Sequence, residues 1–138
     1  MGYSRSSALF VLKDKKGNIL LQHRDKNIKR FPDYWGFFGG EIERGETPEN
    51  AVKREAEEEL SIELKDFKFF KRYECTRENG LLEEQFVFIS PLFLPVKKLK
   101  EQLKEGQDLG LFSFEEWEKL KTPEFEKIIF EDLFASKF

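Results

Sequence analysis

Apolar residues fall in short unbroken runs near the start of the chain and in helical stripes further on. Residues 7–13 contain the run Ala8-Leu9-Phe10-Val11-Leu12 and predict a buried strand. The polar stretch 14–18 predicts a turn, and 19–23 a second strand. Residues 26–32 read as a basic, irregular loop. An aromatic and glycine-rich stretch, 34–40, leads to a short predicted strand at 41–43 and a turn at Arg44-Gly45. Thr47 can cap a helix, and Pro48 suits its first position, where a missing N–H is harmless. Val52, Ala56 and Leu60 then form an apolar stripe at helical spacing.

Residues 66–76 and 84–93 predict two further strands joined by the Asn-Gly signal of Glu78-Asn79-Gly80. Residues 95–103 predict a short helix, and 109–112 a strand. Ser113-Phe114-Glu115-Glu116 is a capping box that opens a helix through Leu120. Pro123 starts a last helix, with Phe125, Ile128, Ile129, Leu133 and Phe134 on its core stripe. Hairpins with one long crossover predict a mixed sheet packed between helices.

The first helix carries the candidate chemistry. At the helical period, Glu55, Glu58 and Glu59 share an arc of about 100° beside the apolar stripe, and Glu57 points roughly the other way. A Glu-rich helix is ordinarily a solvated face. Carboxylates three and four residues apart repel, however, and a hard cation such as Mg²⁺ turns that cost into binding. The surrounding spacing is also specific. Gly40, five residues, Glu46, seven residues, then Arg54-Glu55-Ala56-Glu57-Glu58-Glu59 is a long pattern of charged positions.

That pattern resembles the Nudix box of the Nudix hydrolases. Gly40, Glu46, Arg54, Glu55, Ala56, Glu58, Glu59 and Ile62 fit it, and Ser61 stands where the family has Gly. The resemblance covers residues 8–114 and implies an α/β fold, the Nudix α/β/α sandwich with a mixed β-sheet between helices. It implies that Glu55, Glu58 and Glu59, with the Gly40 carbonyl, hold Mg²⁺, for which Mn²⁺ can substitute. Arg54 and Glu46 then brace the carboxylates by ion pairing. The Gly39-Gly40 pair lets backbone approach a ligand closely, and Gly39 and Arg24 are the expected substrate contacts. MutT-like members carry a glutamate followed by Gly in a later loop. Glu105 is the candidate for that fourth, metal-facing and catalytic carboxylate, with Glu101 in reserve. Phe38 replaces the usual Pro before the glycines, as in the branch acting on oxidised purine nucleotides.

The expected reaction is hydrolysis of a nucleoside diphosphate linked to X, foremost a nucleoside triphosphate cleaved to a monophosphate and pyrophosphate. The same-chemistry alternatives are a nucleotide sugar or a dinucleoside polyphosphate. A non-catalytic nucleotide-binding Nudix module is the alternative of another class, and its expected mark is loss of the box carboxylates. Composition narrows the remainder. A chain of 138 residues with 39% hydrophobic content predicts one domain, 1–138, with a real core. The net charge of −3 argues against bulk nucleic-acid binding. One Cys and one His build no ordinary zinc site, and Cys75 reads as a buried strand residue. A single Cys suits a reducing cytoplasm, and neither a membrane span nor a signal peptide is evident. A monomer or homodimer is expected. No pattern identifies residues that read a base, although the stretch 122–125 is in a plausible place.

Overall fold

A computed structural model describes residues 5–77 and 79–137. The apolar run near the N-terminus forms β1 (Arg5–Lys13), the central strand. Its side chains alternate between the two faces of the sheet, so both faces can be covered. Ala8, Phe10 and Leu12 pack on one side, with Val52, Ala56 and Leu60 of the first helix. Leu9 and Val11 pack on the other, with Ile129, Phe130 and Leu133 of the last.

The elements follow as β2 (Ile19–His23), β3 (Trp35–Gly36), β4 (Phe38–Glu41), α1 (Pro48–Leu60), β5 (Lys68–Thr76) and β6 (Leu82–Pro91). Then come α2 (Val96–Gln102), β7 (Asp108–Phe112), α3 (Phe114–Trp117), a 3₁₀ turn (Glu124–Glu126) and α4 (Lys127–Ala135). The main strand order is β3-β2-β1-β6-β5, with β4 added to β1 and β7 to β2. β1 runs parallel to β6 and antiparallel to β2 and β4, so the sheet is mixed. The expected α/β/α arrangement is therefore present. Among the described residues, no helix is long and apolar enough to cross a membrane.

Local signals are realised closely in α1. Thr47 is the N-cap, its Oγ1 accepting from the Asn50 N–H at 3.1 Å, and Pro48 opens the helix. Ser61 ends it in the left-handed conformation, at φ 54° and ψ 42°. That conformation costs a non-glycine residue about 1–2 kcal/mol. Ser61→Gly is thus expected to raise the melting temperature by a few degrees with activity nearly unchanged, since about 1 kcal/mol shifts it on that scale. A lower melting temperature in a thermal scan would contradict this.

Several boundaries differ from the sequence expectations. The strand expected at 41–43 is Phe38–Glu41, because the glycine pair itself joins the sheet, with Gly39 opposite Leu9 and Gly40 opposite Ala8. β5 begins at Lys68, after Asp66 takes a positive φ of 49°. β6 spans Leu82–Pro91 rather than 84–93. Asn79 and Gly80 lie in the β5–β6 turn, where the Gly80 N–H donates to the Arg77 carbonyl at 2.8 Å; Glu78 lies outside the described residues. The Ser113 capping box is formed, but α3 stops at Trp117 rather than Leu120. The C-terminal helix does not begin at Pro123. A 3₁₀ turn comes first, and its tighter winding rotates the stripe. Ile128 is consequently 52% exposed, while Phe130 and Glu126 are buried.

Candidate active site

Arg54 is the hub of the α1 carboxylates. Its Nε and Nη2 donate to the two oxygens of Glu46 at 2.7 and 2.9 Å, a two-pronged pair. Its Nη1 donates to Glu55 at 3.0 Å and to Glu58 at 3.1 Å. Nη2 also reaches the Glu41 carbonyl at 3.0 Å, which ties the helix to the end of β4. Glu46 in turn accepts from the Glu43 N–H at 2.9 Å. The Arg54 hydrogen bonds, then that of Glu43, hold the Glu46 carboxyl down at about 2.

Helical geometry sorts the remaining glutamates. Glu55 and Glu59 are buried, Glu58 stands exposed at the rim, and all three line one cleft. Glu57 is exposed on a different side, in a surface depression with Lys53 and Phe67. Glu59 accepts from the Gly39 N–H at 3.0 Å. Gly40 passes so close to Glu55 that an added Cβ would lie 2.5 Å from its Oε1. Burial raises the Glu55 carboxyl against the pull of Arg54. Burial, then the charges of Glu105 and Glu55, push Glu59 up to about 10.

Glu105 reaches the same cleft from the α2–β7 loop. Gln22 Nε2 donates to its carbonyl at 2.9 Å, and the Lys104 N–H donates to the Glu59 carbonyl at 2.8 Å. Glu101, the reserve candidate, is not among the cleft-lining residues and is exposed on α2. The cleft is also lined by the basic residues Arg5, Arg24, Lys29 and Arg30. Arg24 is half-buried and its guanidinium donates to the carbonyls of Arg30 and Phe31, so it also fastens the basic loop. The sequence marks that loop as basic but does not place it at the cleft. Arg5 and Gln22 were missed, because nothing local marks a strand residue as facing a site.

The donor set suits a hard divalent cation: carboxylate oxygens and a glycine backbone, gathered where their charges oppose one another. The close passage of Gly40 against Glu55 and the raised Glu59 carboxyl both fit such a use. Among the described residues, no three acidic, His or Cys side chains are placed so that together they could hold a metal ion. Arg54 draws Glu55 and Glu58 one way, and the Gly39 N–H holds Glu59 another.

Residues 3–133 match the NUDIX domain. Over 67 residues the chain is 53% identical to an 8-oxo-dGTP diphosphatase of Escherichia coli, covering 49% of this chain and 51% of that protein. Over 110 residues it is 28% identical to an uncharacterized Nudix hydrolase of Listeria monocytogenes, covering 79% of this chain and 63% of the relative. The matches therefore span about half to under two thirds of these relatives' lengths. Among solved structures, a MutT protein from Methanosarcina mazei superposes with a TM-score of 0.73 at 20% identity, covering 94% of this chain and 91% of that one. A MutT NUDIX hydrolase from Burkholderia pseudomallei does so with a TM-score of 0.70 at 24% identity, covering 92% and 95%. At these identities the superpositions speak for the fold.

Proposed function

The chain belongs to the Nudix family, and from that premise we propose that it is a nucleotide pyrophosphohydrolase whose single domain spans residues 1–138. The proposed substrate is a nucleoside triphosphate, cleaved to a monophosphate and pyrophosphate. The observation that carries this reading is one cleft lined both by the carboxylates Glu55, Glu58, Glu59 and Glu105 and by the arginines Arg5, Arg24 and Arg30. A polyphosphate chain would lie along this cleft, its charge met by the arginines and by the cation the carboxylates would hold. The 8-oxo-dGTP diphosphatase of E. coli, matched over half its length, supports an oxidised purine nucleotide as the substrate.

Glu55, Glu58, Glu59 and the Gly40 carbonyl would hold the cation. When bound, Mg²⁺ supplies charge neutralisation on the phosphate oxygens. The chain's own residues do the rest. Arg54 and Glu46 fix the carboxylates in place. Arg24, with Arg5 and Arg30, orients the phosphates for in-line attack. Water oxygen bonds to phosphorus as the anhydride P–O bond breaks, pyrophosphate leaves, and the water proton passes to a cleft carboxylate. Glu105 and the α1 glutamates are the candidates for that acceptor.

Nucleotide sugars and dinucleoside polyphosphates present the same bond and remain the runner-up substrates. A non-catalytic role is disfavoured because every box carboxylate is retained. A pyrophosphate- and phosphate-release assay across a nucleotide panel tests the proposal. Turnover is expected with Mg²⁺ or Mn²⁺ and is abolished by exhaustive chelation. Full turnover in chelator sinks the metal-dependent reading, and no turnover on any member of the panel sinks the hydrolytic one.

A further inference from the structure

The cleft draws on two loops from distant parts of the chain. Arg24 and Arg30 belong to the stretch between β2 and β3, and Glu105 to the loop between α2 and β7. The spacing of these groups depends on how one loop is fixed against the other. A single side chain, Gln107, makes the contacts that cross between them.

Gln107 stands just before β7, and its backbone N–H donates to the His23 carbonyl at 2.8 Å. Its side-chain Nε2 donates to the Arg24 carbonyl at 2.7 Å and to the Asp33 carboxylate at 2.9 Å. Both acceptors are oxygens, so the amide presents its NH₂ end and spends both hydrogens there. The same Asp33 oxygen lies 2.9 Å from His23 Nε2, and the His23 ring stacks on Trp35 with centroids 4.4 Å apart. The β2–β7 ladder ends at His23 and Asp108. Beyond that end, the Gln107 amide reaches the backbone of Arg24 itself.

The Glu105 loop is fixed on its other side as well. Gln22 Nε2 holds the Glu105 carbonyl at 2.9 Å. Gly106, at a φ of 90°, passes so close to β2 that an added Cβ would lie 2.7 Å from Gln22 Cγ and 2.9 Å from the His23 carbonyl oxygen. The loop therefore sits on the end of β2 without slack. Glu105 lines the cleft beside Glu59, and its charge acts on the Glu59 carboxyl. An exposed glutamine is ordinarily a solvated surface residue. Gln107 is exposed, yet it makes two side-chain bonds to the opposite loop, one of them to a charged acceptor.

Resting on the cation and phosphate reading above, we propose that Gln107 is a positioning residue whose amide latches the Glu105 loop to the Arg24 loop and so fixes the carboxylate relative to the arginine. Gln107 is not among the residues that line the cleft, so it acts through Glu105 and Arg24. Loosening the latch lets Glu105 drift from Glu59, and a cation held there loses the support of that carboxylate.

Gln107→Met keeps length and charge and removes both donors. Mn²⁺ titration followed by electron paramagnetic resonance, with no nucleotide present, compares it with Glu105→Gln and with the double variant. Each single variant is expected to weaken Mn²⁺ binding about tenfold, the scale for a residue that supports a metal ligand. The double variant should lose no more than Glu105→Gln alone, because the latch acts on the cation only through that carboxylate. Amide hydrogen exchange gives an arm that needs no metal: the N–H groups of Arg24 and of residue 107 should exchange about tenfold faster in Gln107→Met. Wild-type Mn²⁺ affinity in either single variant, additive losses in the double variant, or unchanged exchange overturns the proposal. A lower melting temperature with Mn²⁺ affinity intact does so too, since it makes Gln107 a structural residue only. A wild type that binds no Mn²⁺ strikes the cation reading instead, and hydrogen exchange still judges the latch.

Discussion

Glu58→Gln and Glu59→Gln are expected to lose at least two orders of magnitude in turnover at saturating Mg²⁺, while Glu57→Gln is expected to keep the wild-type rate. Two orders correspond to about 2.7 kcal/mol of transition-state stabilisation. The three residues are adjacent in sequence and identical in type, so only geometry separates them. Glu58 and Glu59 line the cleft, and Glu57 does not. Replacing a solvated carboxylate by its amide changes stability by no more than about 0.5 kcal/mol. Replacing a cation ligand removes charge where the proposed chemistry needs it.

A melting series in chelator separates catalysis from folding. The Glu59 carboxyl is raised in the folded state, so its favourable contribution is complete below the ordinary carboxylate value, near 4.5, and is lost as pH climbs toward about 10. Glu59→Gln escapes that loss, since the amide oxygen can still accept from the Gly39 N–H. The melting temperature of the variant should therefore gain on the wild type as pH is raised from 5 to 9. Equal rates for all three variants would return α1 to an ordinary charged surface. A variant that loses both rate and melting temperature would make Glu59 a structural residue.

Gly39→Ala is expected to lose about 3 kcal/mol of stability or to fail to fold. Gly39 has a φ of 133°, and an added Cβ would lie 2.2 Å from the Ala8 carbonyl oxygen and 2.8 Å from Leu9 Cα. Both obstacles are backbone of the central strand, which cannot move aside. Left-handed strain costs about 1–2 kcal/mol, and overpacking a further 1–3 kcal/mol. Gly40→Ala is the instructive neighbour. The three atoms nearest its added Cβ all belong to the Glu55 side chain, the first being Oε1 at 2.5 Å. That variant should fold, with Glu55 displaced and Mg²⁺-dependent turnover impaired. Chemical denaturation of the pair checks the contrast. A Gly39→Ala protein as stable as the wild type would mean that β4 does not press on β1 in this way.

What the sequence determined by itself is the content of α1. Thr47, Pro48 and the apolar stripe act within a few residues of one another, so their signals survive without the rest of the molecule. Ser61 stands where the resembling family has Gly, and it takes the left-handed conformation that suits a glycine at a helix end. The arc of Glu55, Glu58 and Glu59 follows from the helical period alone, and the box spacing identified the family.

Only tertiary structure decided what faces the site from elsewhere. Arg5 and Gln22 sit on strands whose pattern marks alternation but not which face meets the cleft. Glu83, Gln85 and Glu126 looked like ordinary polar positions, and their contacts join residues 41 and 76 apart. The short 3₁₀ turn at Glu124–Glu126 carries Glu126 inward and Ile128 outward, against the helical stripe read from the sequence. A one-turn change of winding depends on what the segment packs against, here Gln85 on the sheet and the Phe31 ring. Polar burial is settled by partners distant in the chain, and no local pattern encodes them.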